Sequence, residues 1–205
     1  IFNLTPKEVL NFLINKSVQN LNPSNMEEKL LSLIGKELYE AFFKGYTIKQ
    51  WGKDPKELVA STFERIPVRT NYSSSYYKKL FSYLPVGGYT KLFNRILLHP
   101  SIELKLNFRF TFEDYIKLKS DNIVIYSGNI DDFFNYKFGL LDYRSVYFKK
   151  ELIDSCDFQG IGVVNYPEVE IPYTRITEPK HFYPNSYKNI KSTIILKEYS
   201  TNYLP

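Results

Sequence analysis

The chain has 205 residues, and its 43% hydrophobic and 17% aromatic content supplies enough apolar surface for a packed core, which argues against a wholly disordered chain. Lys and Arg exceed Asp and Glu by 27 to 22, and the basic residues are dispersed, so nucleic acid is not expected as a partner. The single cysteine, Cys156, rules out an internal disulfide framework and fits a reducing compartment, where we expect a structural thiol.

Neither a membrane segment nor a secretion signal is visible in the sequence. No apolar run approaches the ~20 residues that a bilayer-spanning helix needs. The amino end lacks a basic region followed by an apolar block. We therefore expect a soluble, cytoplasmic protein with no membrane partner. Because the chain begins at Ile1 and its only methionine is Met26, we also expect it to be part of a longer protein.

The first third of the chain contains three helix-start signals. The stretches "TPKE" from Thr5 and "DPKE" from Asp54 each combine a capping side chain, a proline at the first helical position and a glutamate three residues after the cap. Asn25 is followed by Glu28 at the same spacing, and apolar residues then recur with the helical period for about five turns, up to Gly45. We predict a helix after each cap.

Two more helices are predicted before the pattern changes. One covers residues 76–84 and ends before Pro85, and the other lies between Gly88 and Pro100. After His99 the chain consists of short β-rich runs bounded by Gly, Pro, Asn or Asp. These runs are "IELKLNF", "NIVIYSG", "YRSVYFKK", "IGVVNY", "YTRIT" and "STIILKEY".

The spacing of these runs, with no long helix between them, favours an antiparallel sheet over repeated parallel crossovers. The predicted fold class is therefore α+β, with an N-terminal helical bundle followed by a mainly antiparallel β-sheet. We divide the chain at that change into a mainly helical region, residues 1–100, and a mainly antiparallel sheet region, residues 101–205.

The usual catalytic and metal-binding patterns are absent from the sequence. His99 and His181 lie far apart and outside any metal-ligand spacing, so we expect a surface or hydrogen-bonded histidine at each position and no metal site. Asp131 and Asp132 offer an acid and a base as one interpretation, but they follow a predicted strand and precede "FFNY", where acidic residues favour a helix start, so we favour the capping role. No phosphate-binding glycine loop or nucleophile elbow occurs either. No side chain of this chain is predicted to be catalytic.

Arginines occupy unusual positions in the sequence. Arg65 and Arg69 lie on either side of a proline in "ERIPVRT", and Arg175 lies inside a predicted strand in "PYTRITE". A guanidinium is a fixed fork of donors that suits phosphate oxygens, so an anionic ligand is one interpretation. An internal ion pair with Glu64 or Glu178 is the other interpretation. The residue pattern alone leaves both open.

Several blocks of the sequence resemble one enzyme family. They are "IGKELYEAFFKGYTIKQWG", "RIPVRTNY", "PVGGYTKLF", "IYSGNIDDFF", "LDYRSV" and "VVNYPEVEIPYTRITEPKHF". In order and spacing, these blocks closely resemble UDP-galactopyranose mutase, and the resemblance runs through nearly the whole chain. The contexts around "KGYTIKQWG" and "PYTRITEPKHF" are its most specific parts.

The resemblance implies a flavin-dependent enzyme that interconverts UDP-galactopyranose and UDP-galactofuranose without net redox change. In that family reduced FAD supplies the nucleophile, which accounts for the missing catalytic His, Cys and Ser. What the protein then provides is a grip on the nucleotide diphosphate, placement of the sugar and exclusion of water. UDP and the two UDP-sugars are the partners that the resemblance implies.

The resemblance also assigns the substrate-binding residues. Arg65 and Arg175 are expected to flank the diphosphate, Tyr76 to hydrogen-bond a phosphate, and Asn165 to lie near the bound nucleotide sugar.

A second group of residues lies in the stretch "FFKGYTIKQWG". Phe42, Tyr46 and Thr47 are expected to line the uridine pocket, where an aromatic face stacks on uracil. Trp51 matches the tryptophan of a mobile loop that closes over substrate, so we interpret it as a contact surface. The alternative is that Trp51 is a core anchor.

This chain also departs from the family pattern. It lacks the N-terminal glycine fingerprint that binds FAD, and it stops at Pro205, before further flavin and phosphate contacts. We therefore expect a substrate-binding middle portion, residues 1–100 with a lid and residues 101–205 with segments that would pack on a missing FAD-binding domain. Alone it is expected to be inactive and not to bind FAD. Oligomeric state is left open.

Two other functions are compatible with the same residues. One is the nucleotide-sugar-binding portion of a different flavin-linked enzyme that kept the UDP grip. The other is a non-catalytic module that binds anions or single-stranded nucleic acid, although such a module needs a continuous basic track, which the dispersed charge does not provide.

Overall fold

The computed structural model of the chain describes residues 3–20, 22–63, 68–72, 83–183, 186–187 and 189–203. The chain forms two compact units. The larger unit comprises Ile1–Phe81 and Arg144–Pro205, and the smaller unit comprises Ser82–Tyr143. Within the described ranges, no helix has the length and apolar character that crossing a membrane requires.

The larger unit takes residues from both sides of the predicted boundary at residue 100. The predicted boundary was based on function, because it separated a substrate-binding region from a region expected to face a flavin domain. This functional division stays a prediction.

Two of the three predicted caps open α-helices. Helix α1 (Pro6–Lys16) begins after Thr5, whose side chain accepts the backbone N–H of Glu8. Helix α2 (Met26–Tyr39) begins after Asn25, which caps its first turn in the same way. Each cap satisfies an N–H group that the first helical turn leaves without an intrahelical partner.

The third cap opens only a 3₁₀ turn, Pro55–Glu57, so the predicted helix is wrong here. Leu58 is already extended, and its carbonyl accepts the N–H of Met26 at 2.9 Å. Val59 then forms a β-bridge with Asn25. Pairing with the start of α2 therefore overrides the local helix signal.

The predicted helix end at Gly45 is also wrong. Helix α2 is kinked at Gly35, whose φ of 76° is not helical, and after α2 the chain continues through a π-helical segment, Glu40–Lys44, into α3 (Gly45–Trp51). The run ends at Gly52, whose φ of 66° is a left-handed conformation that glycine adopts readily. Gly45 itself has ordinary helical backbone angles, and its role is a close contact described below.

The helical core of the larger unit lies between α1, α2 and the 3₁₀ turn Ala60–Phe63. Its buried members are Leu13, Met26, Leu30, Ile34, Tyr39 and Phe63. Phe43 packs edge-on against Phe63 with ring centroids 5.2 Å apart, and each large side chain buried in this way contributes roughly 1.5–3 kcal/mol. A regular helical bundle, as predicted, is not confirmed.

Four antiparallel strands form the sheet of the larger unit, in the order β1-β4-β3-β2. They are β1 (Arg144–Ile153), β2 (Val163–Asn165), β3 (Arg175–Thr177) and β4 (Thr193–Asn202). Each coincides with a predicted run, which confirms the antiparallel α+β class. The register places Arg175 opposite Asn165 on one side and opposite Glu198 on the other.

Two predicted strands, at residues 102–108 and 122–128, are wrong, because both ranges lie in the smaller unit and neither is a strand. Neither range buries an apolar face, because Leu104 is 51% exposed and Ile123 is 95% exposed. An alternating run becomes a strand only when a neighbouring strand pairs with it. Nothing between residues 83 and 143 does so.

The smaller unit contains three short helices in its described residues: α4 (Gly88–Leu97), α5 (Phe112–Leu118) and α6 (Ile130–Phe133). The predicted helix after Gly88 is thereby confirmed, and the acidic pair opens α6 as predicted. The carboxylate of Asp131 also accepts the N–H of Leu141 and the hydroxyl of Tyr143, at 3.1 and 2.9 Å. The predicted helix at 76–84 falls mostly outside the described residues.

Candidate functional site

Helix α3 lies against the connection between β2 and β3, here called the 166–173 loop. At the start of the helix, a Cβ atom added to Gly45 would lie 2.3 Å from the carbonyl oxygen of Pro167 and 2.9 Å from Cγ2 of Val169. Only a residue without a side chain permits this approach. The sequence pattern suggested a helix end at Gly45, whereas the glycine serves a tertiary contact.

Lys49 holds the same loop from the middle of α3. Its ammonium donates to the carbonyl oxygens of Tyr166, Glu168, Ile171 and Tyr173, at 2.5, 2.8, 3.0 and 3.0 Å. Burial lowers the pKa of Lys49, against the opposing charge of nearby carboxylates. Sequence analysis missed this residue, because a lysine beside a glycine turn resembles an ordinary surface lysine.

Arg175 connects the sheet to α3. Its Nη2 donates to the hydroxyl of Tyr46 at 2.7 Å, and its Nε lies 3.1 Å from Oε1 of Glu198. The Nε–H of Arg175 does not form a hydrogen bond with the Glu198 carboxylate, so these two groups interact through their charges. The side chain is 36% exposed.

The internal ion pair proposed for Arg175 therefore exists, but its partner is Glu198. Glu178 is fully buried and accepts the backbone N–H groups of Phe158 and Gln159 at 3.2 and 3.0 Å. His181 Nε2 lies 3.3 Å from Glu178. Glu178 thus fixes a turn beside the sheet and does not contribute to the Arg175 pair. Glu64 lies outside the described residues.

His181 is hydrogen-bonded, as predicted, with its Nε2 3.2 Å from Oδ1 of Asp157. The ligand atoms of Asp157, Glu178 and His181 all lie within 4.8 Å of one another. Asp157 also accepts the N–H of Gly160 at 2.6 Å, which holds the pKa of this carboxyl below its usual value. Backbone N–H groups already donate to the carboxylates of both Asp157 and Glu178. We therefore interpret this group as a structural hydrogen-bond network.

The other predicted substrate residues have contrasting environments. Phe42 is 59% exposed on the π-helical segment, whereas Thr47 on α3 is 3% exposed. Trp51 is 38% exposed and is the last residue of α3, so it lies at a helix end and not within a loop. Asn165 is exposed on β2, directly opposite Arg175 in the sheet register.

The structure thus brings together Tyr46, Asn165 and Arg175, from one helix and two strands. Arg65 and Tyr76 lie outside the described residues, and their assignments stay predictions.

Arg144 at the start of β1 is a second residue that sequence analysis missed. Its Nε and Nη2 donate to the carbonyls of Gln50 and Lys49 at 3.1 and 3.3 Å, and it also contacts the side chain of Asn202. These are carbonyls of the last turn of α3, where a cation also complements the helix dipole. A Cβ atom on Gly52 would lie 2.9 Å from Nη1 of Arg144. The sequence signal that could have identified Arg144 was its place in the family-like block "LDYRSV".

A family model described as UDP-galactopyranose mutase matches residues 41–204. The chain is similar to dTDP-fucopyranose mutase of Escherichia coli, 41% identical over 201 residues, which is 96% of this chain and 53% of that protein. It is also similar to a probable UDP-galactopyranose mutase of Klebsiella pneumoniae, 44% identical over 183 residues, which is 88% of this chain and 45% of that protein.

A solved structure shows the same fold. The crystal structure of reduced UDP-galactopyranose mutase superposes with a TM-score of 0.57 at 13% sequence identity, covering 95% of this chain and 51% of that one. The sequence matches place the chain among relatives that are named as sugar-nucleotide mutases. The chain belongs to the UDP-galactopyranose mutase family. It spans about half the length of the curated relatives it matches.

Proposed function

We propose that this chain is the substrate-binding portion of a mutase that interconverts UDP-galactopyranose and UDP-galactofuranose. The observation that supports this most is the contact between Arg175 and Tyr46, which joins the sheet to the helix that carries the predicted uridine-binding residues. Asn165 lies beside Arg175 in the register. A nucleotide diphosphate bound along this junction meets a guanidinium fork and a phenol together.

Arg175 suits a diphosphate because its present partners can be exchanged. Glu198 and Tyr46 are side chains, and a phosphate oxygen can replace the Tyr46 hydroxyl or join it without disturbing the backbone. The neighbouring carboxylate keeps the guanidinium oriented in the absence of ligand. Arg65 is proposed as the second diphosphate arginine and Tyr76 as a further phosphate donor.

The proposed uridine pocket uses the exposed and buried residues differently. The exposed ring of Phe42 offers a face for stacking on uracil. Tyr46 follows Gly45 at the start of α3, and because its hydroxyl contacts Arg175 we assign it to the phosphate end of the proposed pocket. Thr47 is buried, so we assign it to the wall behind the ligand. Trp51 is partly exposed and is proposed to cover the bound nucleotide sugar.

Members of this family are FAD-dependent flavoenzymes, and the resemblance implies that reduced FAD would supply the nucleophile when it is bound. The described residues do not fit an FAD diphosphate by themselves. A dinucleotide site uses a glycine-rich turn between a parallel strand and a helix, whereas the four described strands are all antiparallel. We therefore propose that this chain binds and orients the nucleotide sugar, and that flavin is held by other parts of a longer protein.

A second candidate is a dTDP-sugar substrate. The similarity to dTDP-fucopyranose mutase extends over 96% of the chain, more than the 88% matched to the probable UDP-galactopyranose mutase. Both nucleotides present a pyrimidine ring and the same diphosphate, so the arginine site accepts either. Relative to UDP, dTDP carries a methyl group on the base and lacks the 2′-hydroxyl of the ribose. These two differences allow a binding experiment to distinguish the two nucleotides.

Binding of UDP and dTDP to the purified chain tests the proposal. Because Trp51 is the only tryptophan, its fluorescence reports one position in the chain. We expect UDP to change that fluorescence with saturation, and Arg175→Lys to raise the Kd by about tenfold or more, since the fork is lost while the charge remains. Arg109→Lys in the smaller unit, where Arg109 pairs with Asp132, is the matched control.

Three results distinguish the candidates. Tighter binding of UDP than dTDP supports the UDP-sugar substrate, and the reverse order supports the second candidate. Saturable binding of single-stranded oligonucleotide that exceeds both nucleotides indicates the non-catalytic module instead. If neither nucleotide binds the wild-type chain, or Arg175→Lys binds as tightly as wild type, the proposed site is wrong.

A further inference from the structure

The ammonium of Lys49 lies inside a ring of backbone oxygens. An ammonium carries three N–H groups, yet four carbonyl oxygens of the 166–173 loop approach it to between 2.5 and 3.0 Å. The loop therefore wraps around a charge, and the hydrogen bonds are shared among its oxygens. Rings of carbonyl oxygens are the arrangement by which proteins replace the hydration shell of a monovalent cation.

Such a ring requires a positive charge at its centre. Four carbonyl dipoles that converge on one point repel one another, and the repulsion is strong because the site is partly removed from water. A neutral side chain of the same length fills the space without offsetting that repulsion. The charge of Lys49, rather than its packing, is thus what allows the loop to hold this conformation.

The ring lies between the residues assigned to the ligand. Tyr166, which closes one side, directly follows Asn165, and Tyr173, which closes the other, lies two residues before Arg175. On the helix, Lys49 lies between Tyr46 and Trp51. The distance between Tyr46 on α3 and Arg175 on β3 is therefore set through the Lys49 ring.

We infer that Lys49 is a positioning residue, a tethered cation that organises the 166–173 loop and thereby fixes the spacing between Tyr46 and Arg175 for a nucleoside diphosphate. The inference rests on the proposed function. It adds a residue whose ammonium contacts the loop and which acts on the ligand through Asn165, Tyr46 and Arg175.

The chain offers a matched control in Lys180. Its ammonium also donates to backbone carbonyls, those of Cys156, Ile190 and Ser192, at 2.9, 2.6 and 3.4 Å. This second clamp joins other segments of the chain, and its partners among the described residues include none of the proposed ligand residues. Lys180→Met therefore removes a similar set of hydrogen bonds without a predicted effect on the diphosphate.

The first experiment is hydrogen exchange of the ligand-free 205-residue chain. The N–H groups of Tyr166 and Thr174 donate to Thr174 and Glu198, at 2.9 and 2.8 Å, and report on both ends of the loop. We expect Lys49→Met to speed their exchange by about tenfold or more, because hydrogen bonds to a charged group are worth an order of magnitude or more in an equilibrium constant. Lys180→Met should leave these amides unchanged.

The second experiment restores the charge chemically. In a Cys156→Ser background, which removes the only native thiol, Lys49→Cys is alkylated with 2-bromoethylamine. The reaction forms a carbon–sulfur bond with loss of bromide, and it rebuilds an ammonium at nearly the original length. We expect the Kd for UDP to rise by about tenfold or more in Lys49→Met and in the unalkylated cysteine variant, and to return towards wild type after alkylation.

The outcomes separate this inference from the proposed function. Wild-type chain that binds neither UDP nor dTDP overturns the proposed function and the ligand role of Lys49 together, and the exchange data then decide only whether the cation organises the loop. Wild-type binding with an unchanged Kd in Lys49→Met overturns the inference alone. Recovery in the alkylated protein supports it, and failure of recovery in a chain with wild-type melting behaviour contradicts it.

Discussion

Replacing Gly45 by alanine has two opposite effects on stability, and the structure allows us to compare their sizes. Alanine is favoured over glycine in a helix by about 1 kcal/mol, and Gly45 already has helical backbone angles. The added Cβ, however, would lie 2.3 Å from the carbonyl oxygen of Pro167. Real Cβ atoms essentially never lie closer than 3.0 Å to a non-bonded atom, so these two atoms must separate by about 0.7 Å. Overpacking of this kind typically costs about 1–3 kcal/mol.

The clash should therefore exceed the gain in helix propensity, and we expect Gly45→Ala to lower the free energy of unfolding by about 1 kcal/mol. The effect on ligand binding should be larger. Tyr46 is the next residue, and moving α3 away from the loop lengthens its 2.7 Å contact with Arg175 and loosens the Lys49 ring.

Urea denaturation and titration with UDP measure the two effects on the same protein. Lys44→Ala, an exposed substitution one residue earlier, is the control for helix propensity without a clash. A Gly45→Ala protein that is more stable than wild type and binds UDP equally well would refute the reasoning, because the backbone contact would then not constrain the site.

Three further predictions test other parts of the structure. Tyr46→Phe removes the hydroxyl that Arg175 contacts and should weaken UDP binding several-fold, about 1 kcal/mol, with little change in melting temperature; an unchanged Kd contradicts the assignment. Trp51→Ala should cost about 1–2 kcal/mol of stability, less than the roughly 3–5 kcal/mol expected for Phe63→Ala, because Trp51 is 38% exposed and Phe63 is 1% exposed; equal losses identify Trp51 as a core anchor. Hydrogen bonds from Ser24 lower the pKa of Glu28, so its contribution to stability is present above its unfolded pKa, about 4.3, and is lost as pH falls through the lower folded pKa. Glu28→Gln should accordingly flatten the acid limb of melting temperature against pH, and an unchanged slope excludes this linkage.

Local signals predicted the elements whose causes are local. Thr5 and Asn25 cap helices because the groups that satisfy the first turn lie within a few residues. The signal at Asp54 is of the same kind, but the β-bridge between Asn25 and Val59 is a contact between distant segments and prevails. Likewise, sequence alone does not distinguish a glycine needed for positive φ, such as Gly52, from one needed for a close approach, such as Gly45.

The sheet shows the same division between local and distant causes. Four runs with a pairing partner became strands, whereas the alternation at residues 102–108 has no described partner and remains irregular. Arg175 could be singled out from sequence because an arginine inside a strand is unusual. Its partner Glu198 could not, since the pairing of β3 with β4 sets that contact.

Lys49, Arg144 and Arg175 differ in the groups that they contact, and this difference supports the proposal that Arg175 binds the ligand. The ammonium of Lys49 donates to backbone carbonyls of the 166–173 loop, and Arg144 donates to two other backbone carbonyls, in the last turn of α3. Such partners cannot be exchanged without disrupting the helix or the loop. Arg175 contacts the side chains of Glu198 and Tyr46, which rotate at low cost. Lys49 and Arg144 therefore hold the junction between α3 and the sheet, and Arg175 is the cation that we propose for the diphosphate.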